Sequence, residues 1–364
     1  MRLLPISKCQ PGMRLGKSIF SEDGRVLLMA EVELTDSMIR RLGDKGIDYI
    51  YIMDKRTEDI VIPDLISDET RARTVTQIRS SFRSMMGDAN RKQIPGALAK
   101  DFKDVLTMII DDLSGNKDAM IMLTDMNLKD HYLYTHSMNV CIYSCMLAMH
   151  MGFTRSDIFS LGLGSLLHDI GKTKIPLEIL NKKGKLNSAE YSIMQKHAEL
   201  GYHILKEEAN IPLVTAHCAL QHHERMNGTG YPRGLKGSEI HDFAQWIGIV
   251  DSYDAMTTHR VYRETLMPHQ AMEILYAGAS DSLYAIEKVE AFRDKIALYP
   301  LGITVKLNTG ESGVVVDINA TSPHRPVIRV LENEAGEQLH SPYEIDLSKQ
   351  LSVMVTNYTN EHNT

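Results

Sequence analysis

The chain reads as mainly α, with a small α/β unit ahead of a long helical middle and a short antiparallel β appendage behind it. Three observations carry this reading. From about residue 127 to 299, apolar side chains recur at three- and four-residue spacing, with Gly, Pro and Asn at the breaks. Before that stretch, short branched and aromatic runs alternate with turn residues, and after Pro300 β-branched runs return. A length of 364 residues fits two or three domains, which we place at 1–122, 123–300 and 301–364.

In the first unit, Ser18-Ile19-Phe20 and Arg25-Val26-Leu27-Leu28 flank the turn Ser21-Glu22-Asp23-Gly24 as a hairpin. Thr35 caps a short helix that stops near Gly43 or Gly46, and residues 47–52 have the content of a strand. Residues 67 to about 86 favour a helix, Gly87-Asp88 and Pro95 break it, and residues 97–113 form a second amphipathic stretch. These two helices read equally as a connector or dimer-forming stalk and as surface helices packed on the next domain. In the helical middle, Asn187 or Ser188 followed by Glu190 is a capping signature. In the appendage, residues 303–307, 313–318 and 326–331 are strand-like runs separated by turns such as Asn308-Thr309-Gly310.

A net charge of -7 argues against a broad basic face for gripping duplex nucleic acid, so any bound nucleotide should be small. The start lacks a signal-peptide pattern, and no apolar run reaches ~18 residues before a charge interrupts it, which predicts no membrane span and a cytoplasmic protein. Four cysteines are too few for a disulfide scaffold; Cys141 and Cys145, one helical turn apart, read as buried thiols.

The chemistry is concentrated in the helical middle. An apolar helix ends in Leu166-Leu167-His168-Asp169-Ile170-Gly171-Lys172, and carrying His168 and Asp169 into an interior without a ligand would cost several kcal/mol. Further on stands His222-His223-Glu224-Arg225-Met226-Asn227-Gly228-Thr229-Gly230-Tyr231-Pro232, and the region also holds His136, His197 and Asp251. On a helix, His222 and His223 would project about 100° apart and flank one cluster from neighbouring directions. Imidazole mixed with carboxylate suits iron, manganese or zinc, and an aspartate can bridge two ions. Two ions about 3.5–4 Å apart can hold the attacking and leaving oxygens of a phosphodiester.

His168-Asp169-Ile170-Gly171-Lys172, His222-His223-Glu224-Arg225 and Gly228-Thr229-Gly230-Tyr231-Pro232, in that order, resemble the HD-GYP family of cyclic-dinucleotide phosphodiesterases. The likeness runs from near residue 123 to 300, the appendage beginning Pro300-Leu301-Gly302 is family-like, and the first unit resembles more weakly the accessory domain fused to such enzymes. The resemblance implies an all-helical HD-type catalytic domain with metal ligands at His136, His168, Asp169, His197, His222, His223 and Asp251, Asp169 being the bridge. It implies catalytic roles for Asp169 and Lys172, with Lys172 on the scissile phosphate. Arg260 and Arg263 resemble the basic residues that meet the other phosphate or a guanine, a task suited to the planar guanidinium. Some family members hold a third metal through a glutamate four residues before the first ligand histidine. Here that position is Tyr132, a poor ligand, so two divalent ions are expected: iron or manganese, ahead of zinc, nickel or magnesium. His131, His150, His203 and His217 read as bystanders. The glycines of the loop from Gly228 permit a tight backbone path at the rim of the site. In the family that loop is linked to ligand access and to protein partners, while Tyr231 reads equally as a packing residue.

The activity so implied is hydrolysis of cyclic di-GMP to linear pGpG, and onward to GMP, in bacterial second-messenger signalling. The alternatives are 3′,3′-cyclic GMP-AMP as substrate, a phosphohydrolase of dNTPs or guanosine tetraphosphate from the wider HD superfamily, a non-catalytic cyclic-dinucleotide receptor, and an interaction scaffold. Retention of every ligand and of Lys172 argues against the receptor. A homodimer is compatible with the sequence, and no receiver-like or haem-like motif assigns an input signal to the first unit.

Overall fold

The computed structural model describes residues 1–20, 26–86, 97–115, 132–182, 184–258 and 266–358. The first unit consists of β1 (Arg2–Pro5), β2 (Ile19–Phe20), β3 (Val26–Leu28), α1 (Asp36–Asp44) and β4 (Tyr49–Ile52). The expected hairpin is β2 paired antiparallel with β3, and its turn at 21–25 lies outside the described residues. Thr35 caps α1, its hydroxyl accepting the Met38 N–H at 3.3 Å. Strand β1, which the sequence did not suggest, pairs antiparallel with β4 in the register Leu3 to Tyr51. Leu15, Leu34, Leu42, Ile47 and Ile50 fill the space between these elements.

Helices α2 (Asp68–Met86) and α3 (Ala97–Gly115) are packed helices rather than a stalk. Val75, Ile78, Phe82, Leu106 and Ile109 are buried in the same core as the helices that follow. Those are α4 (Tyr132–His150), α5 (Arg155–Leu167), the short α6 (Leu177–Leu180), α7 (Ser188–Gln195), α8 (His197–Glu207), α9 (Leu213–Gln221), α10 (Asp242–Thr257), α11 (Pro268–Ser280) and α12 (Ile286–Arg293). α4 is buried nearly all round and α5 is buried from Leu161 to its end, as interior helices are. Two glycines let α5 approach its neighbours: a Cβ on Gly162 would lie 2.6 Å from Cys145 Sγ, and one on Gly164 would lie 2.8 Å from Cys218 Sγ. All four cysteines are free and buried.

The appendage is a five-stranded antiparallel sheet of β5 (Thr304–Leu307), β6 (Ser312–Asp317), β7 (Val327–Glu332), β8 (Gln338–Asp346) and β9 (Val355–Tyr358), in the order β8-β7-β6-β5-β9. It meets the start of the chain. Leu3 donates its N–H to Gly302 O at 2.8 Å, and Leu3, Ile60 and Ile62 share a core with Val305, Val314 and Ile328. Arg329 of β7 forms a fork on Asp59, with Nη1 to Oδ1 at 2.7 Å and Nη2 to Oδ2 at 2.6 Å. Among the described residues, no helix is long and apolar enough to cross a membrane.

Candidate metal centre

His168 is the residue at which α5 ends, and Asp169 opens the 3-10 turn Ile170–Lys174. His136 comes from the first turns of α4, His197 starts α8, and Asp251 lies in α10. His222 caps the C-terminus of α9 and His223 follows it, so the pair sits at a helix end rather than within a helix as the sequence reading had it. The physical reason is the set of carbonyls that a last helical turn leaves without partners. His222 Nδ1 takes one of them, that of Ala219, at 2.9 Å.

All seven expected side chains converge. They fall into two groups, each drawn close enough to hold an ion: His136, His168 and Asp251, and Asp169, His197, His222 and His223. Asp169 stands between the groups. Its Oδ2 faces His168 Nε2 at 3.4 Å and His136 Nε2 at 3.8 Å, while Oδ1 faces His197 Nε2 at 3.4 Å and His222 Nε2 at 3.8 Å.

The rings are oriented from behind. A carbonyl can only accept, so the contacts of His168 Nδ1 to Ser165 O at 2.6 Å, His197 Nδ1 to Met194 O at 2.7 Å and His222 Nδ1 to Ala219 O place the proton on Nδ1. Each Nε2 then presents a lone pair to the cluster, as a metal-bound imidazole must. His197 Nε2 and His222 Nε2 stand 3.4 Å apart, two lone pairs facing each other, an arrangement that a cation between or beside them relieves. His168 Nε2 and Asp169 Oδ1 are buried with no hydrogen bond. Buried acceptors without donors, in a mixed imidazole and carboxylate set, fit divalent metal.

His136 differs from the other rings in having a carboxylate behind it. Its Nδ1 is 2.7 Å from Asp254 Oδ2, and Asp254 Oδ1 accepts from Asn139 Nδ2 at 3.0 Å. The sequence reading missed Asp254. Its one signal was its place a turn beyond Asp251 on the buried face of α10, and that helix buries most of its residues.

Electrostatics follow the same layout. Burial opposes a charge on His136, yet the hydrogen bonds it donates to Asp251 and Asp254 outweigh that and raise the pKa to about 9. Burial lowers His197 to about 4 and drives His222 well down, so both stay neutral. Burial would also raise Asp169, but the ammonium of Lys172 holds its carboxyl well below the usual range. Lys172 Nζ lies 2.5 Å from Asp169 Oδ2, which puts its ammonium at the cluster rather than out in solvent.

Tyr231 is stacked on His223, with ring centroids 4.6 Å apart and planes at 27°, and it meets His197 edge-on at 6.3 Å. Tyr231 therefore packs, as one of its two sequence readings has it, and what it packs on is one of the seven converging side chains. Glu224 fixes the loop beneath it, accepting N–H groups from Arg233 at 2.8 Å and Leu235 at 3.0 Å. Among the expected bystanders, His150 bonds Met146 O at 2.8 Å, and His203 and His217 pack on Tyr202. Arg260, Arg263, His131 and the side chain of Tyr132 lie outside the described residues.

Residues 119–285 match the HD domain family, and residues 304–364 match the KOW domain associated with HD domain. The chain carries an HD domain. Every member of the two donor groups, together with Lys172 and Tyr231, falls inside it. A cyclic di-GMP phosphodiesterase of Pseudomonas aeruginosa is 31% identical over 258 residues, 70% of this chain and 61% of that protein. Another, of Thermotoga maritima, is 35% identical over 197 residues, 54% of this chain and 52% of its own length. A 3′3′-cGAMP-specific phosphodiesterase of Vibrio cholerae is 36% identical over 157 residues, 43% of this chain and 36% of that protein. The chain thus spans less than two thirds of these relatives, and with the two cyclic di-GMP enzymes the likeness extends beyond the 167 residues of the HD domain.

Proposed function

We propose that this chain is a metal-dependent phosphodiesterase that opens cyclic di-GMP to linear pGpG and carries it on to GMP. The observation that carries the reading is Asp169 with one oxygen toward each donor group, the placement a bridging carboxylate needs. The substrate class is supported by relatives named for cyclic di-GMP. Cyclic 3′,3′-GMP-AMP is the second reading, favoured by the likeness to the V. cholerae protein.

In this reading His136, His168 and Asp251 hold one ion and His197, His222 and His223 the other, iron or manganese in each place, with Asp169 shared. Bound there, the ions supply Lewis acidity at the phosphate and a lowered pKa for water. The protein's own contribution is orientation and charge. The Nδ1 contacts to Ser165, Met194 and Ala219 lock three rings before any substrate arrives. Lys172, turning from Asp169 toward the phosphate, offers an ammonium to the charge that builds on the phosphate oxygens. Arg260 and Arg263 are assigned to the second phosphate or a guanine.

The test is anaerobic purification with iron or with manganese, followed by chromatography of the products from cyclic di-GMP, 3′,3′-cyclic GMP-AMP and a dNTP. His168→Ala and Asp169→Ala variants serve as controls, with folding checked by circular dichroism. Linear dinucleotide from a cyclic substrate, lost in folded controls, supports the proposal. Tight binding without cleavage moves the protein to the receptor class, and cleavage of the dNTP alone moves it to the wider phosphohydrolases.

A further inference from the structure

One aromatic residue near the cluster has no role in holding metal and no place in the core. Tyr191, on α7, is 48% exposed, and its ring meets Tyr231 edge-on at 6.4 Å with an angle of 79°. Tyr231 in turn lies flat on His223. The three rings make a ledge that leads from the donor groups outward to solvent.

The helix that carries Tyr191 is held in an unusual way. α7 buries none of its residues, so packing alone does not explain its position. Its first turn is pinned by polar contacts instead. Asn187 and Glu190 form a reciprocal capping box, with Glu190 N to Asn187 Oδ1 at 2.9 Å and Asn187 N to Glu190 Oε2 at 2.8 Å. Lys182 adds an ion pair to the same Glu190 oxygen at 2.5 Å. The residue directly after this anchored glutamate is Tyr191.

The surrounding segment is also charged for a phosphate ligand. From Ile170 to His197 the sequence carries Lys172, Lys174, Lys182, Lys183, Lys185 and Lys196 against Glu178 and Glu190, in a protein whose net charge is -7. A basic stretch in an acidic chain favours an anionic ligand. An exposed aromatic face near a phosphate-binding site is what a nucleobase stacks on, because every base offers a π-face.

We propose that Tyr191 is the platform on which a nucleobase of the cyclic dinucleotide stacks while its phosphate lies at the metal cluster. This rests on the phosphodiesterase reading above. Tyr231 is the weaker candidate for that task, because one of its faces is already covered by His223. Tyr191 is thus a substrate-positioning residue, and the capping box on Glu190 sets where it stands.

The experiment compares wild type with Tyr191→Phe, Tyr191→Trp and Tyr191→Ala on cyclic di-GMP and 3′,3′-cyclic GMP-AMP, with methyl p-nitrophenyl phosphate as a phosphodiester that lacks a nucleobase. Stacking predicts that Tyr191→Ala raises KM for the preferred cyclic dinucleotide about tenfold. The Phe and Trp variants keep KM near wild type, and KM for the baseless ester stays unchanged in all four proteins. A Tyr191→Ala enzyme with wild-type KM on the dinucleotide overturns the platform and leaves the phosphodiesterase reading intact. An equal rise on both kinds of substrate also overturns it, since it shows a distorted site rather than a lost base contact. A wild-type enzyme that cleaves the baseless ester and neither cyclic dinucleotide overturns the substrate reading and the platform together.

Discussion

Gly171 and His197 touch through their backbones. A Cβ built on Gly171 would overlap the His197 carbonyl oxygen and lie 2.5 Å from the Gly201 nitrogen. The turn that carries His168 and Asp169 is thereby seated directly on α8, and the contact sets the spacing between the two donor groups. Only a hydrogen fits there.

Gly171→Ala is therefore expected to cost about 3 kcal/mol or more, since backbone must move where no flexible side chain can give way. The displacement falls on His197, so metal affinity should drop along with stability. Urea unfolding with and without manganese checks this. A variant as stable as wild type, with unchanged metal content, would show that the turn and α8 are not rigidly coupled.

Asp254 is expected to tune the metal through His136 without touching it. Asp254→Asn keeps the shape but removes the charge behind the ring and turns an amide NH2 toward either His136 Nδ1 or Asn139 Nδ2. Losing such an outer partner typically weakens a metal site 10- to 100-fold. Competition with a chelator of known affinity measures it, and an unaltered metal affinity would assign Asp254 to packing alone.

These two residues mark where the sequence was legible and where it was not. His168-Asp169 and the histidine pair stood out locally, because the first ends an apolar helix and the second sits beside a glycine-rich loop, whereas His136, His197 and Asp251 were assigned as ligands only through the family resemblance. Asp254 could not be read, because an aspartate one turn beyond Asp251 reads as part of a polar face until the helix is seen to be buried on nearly every side. Helices α2 and α3 show the same limit, for an amphipathic pattern gives a face but not its partner. Strand β8 is mostly exposed and lacks an alternating pattern, and β1 is four residues ending in proline. Both are strands because of pairing partners distant in sequence, as is the seam between Leu3 and Gly302.

The metal-free protein should be most stable near pH 6.5. His197 has a folded pKa of about 4 and an ordinary value of 6.5, so below pH 6.5 the unfolded chain takes up a proton that the folded one refuses, and stability falls with pH. His222, lowered in the same direction by burial, adds to this limb. His136 works on the other side. Raised to about 9, it contributes stability that is fully present below 6.5 and lost as pH rises through 9. Each group contributes a slope of at most about 1.4 kcal/mol per pH unit. Urea unfolding of stripped protein at pH 5.5, 6.5 and 8.5 checks the maximum. Because His136 must give up its proton to bind metal, calorimetry at pH 7.5 in two buffers of different ionisation enthalpy should show proton release on loading. No release would mean that His136 is already neutral.

Glu224 is expected to hold the loop that carries Tyr231. Its two oxygens accept from Arg233 and Leu235, and Glu224 itself is 5% exposed, so its carboxylate is held by these N–H groups rather than by water. In Glu224→Gln one oxygen becomes an NH2 that faces a backbone donor, so one charge-assisted hydrogen bond is lost at a cost of about 1–3 kcal/mol. The strain is local to residues 228–235, and relief comes by opening the loop and loosening the Tyr231 stack on His223. Limited proteolysis should therefore cut the variant within this loop at protease levels that leave wild type whole, while circular dichroism stays helical. Resistance equal to wild type would mean that the glycine-rich backbone path, and not Glu224, is what keeps Tyr231 over the cluster.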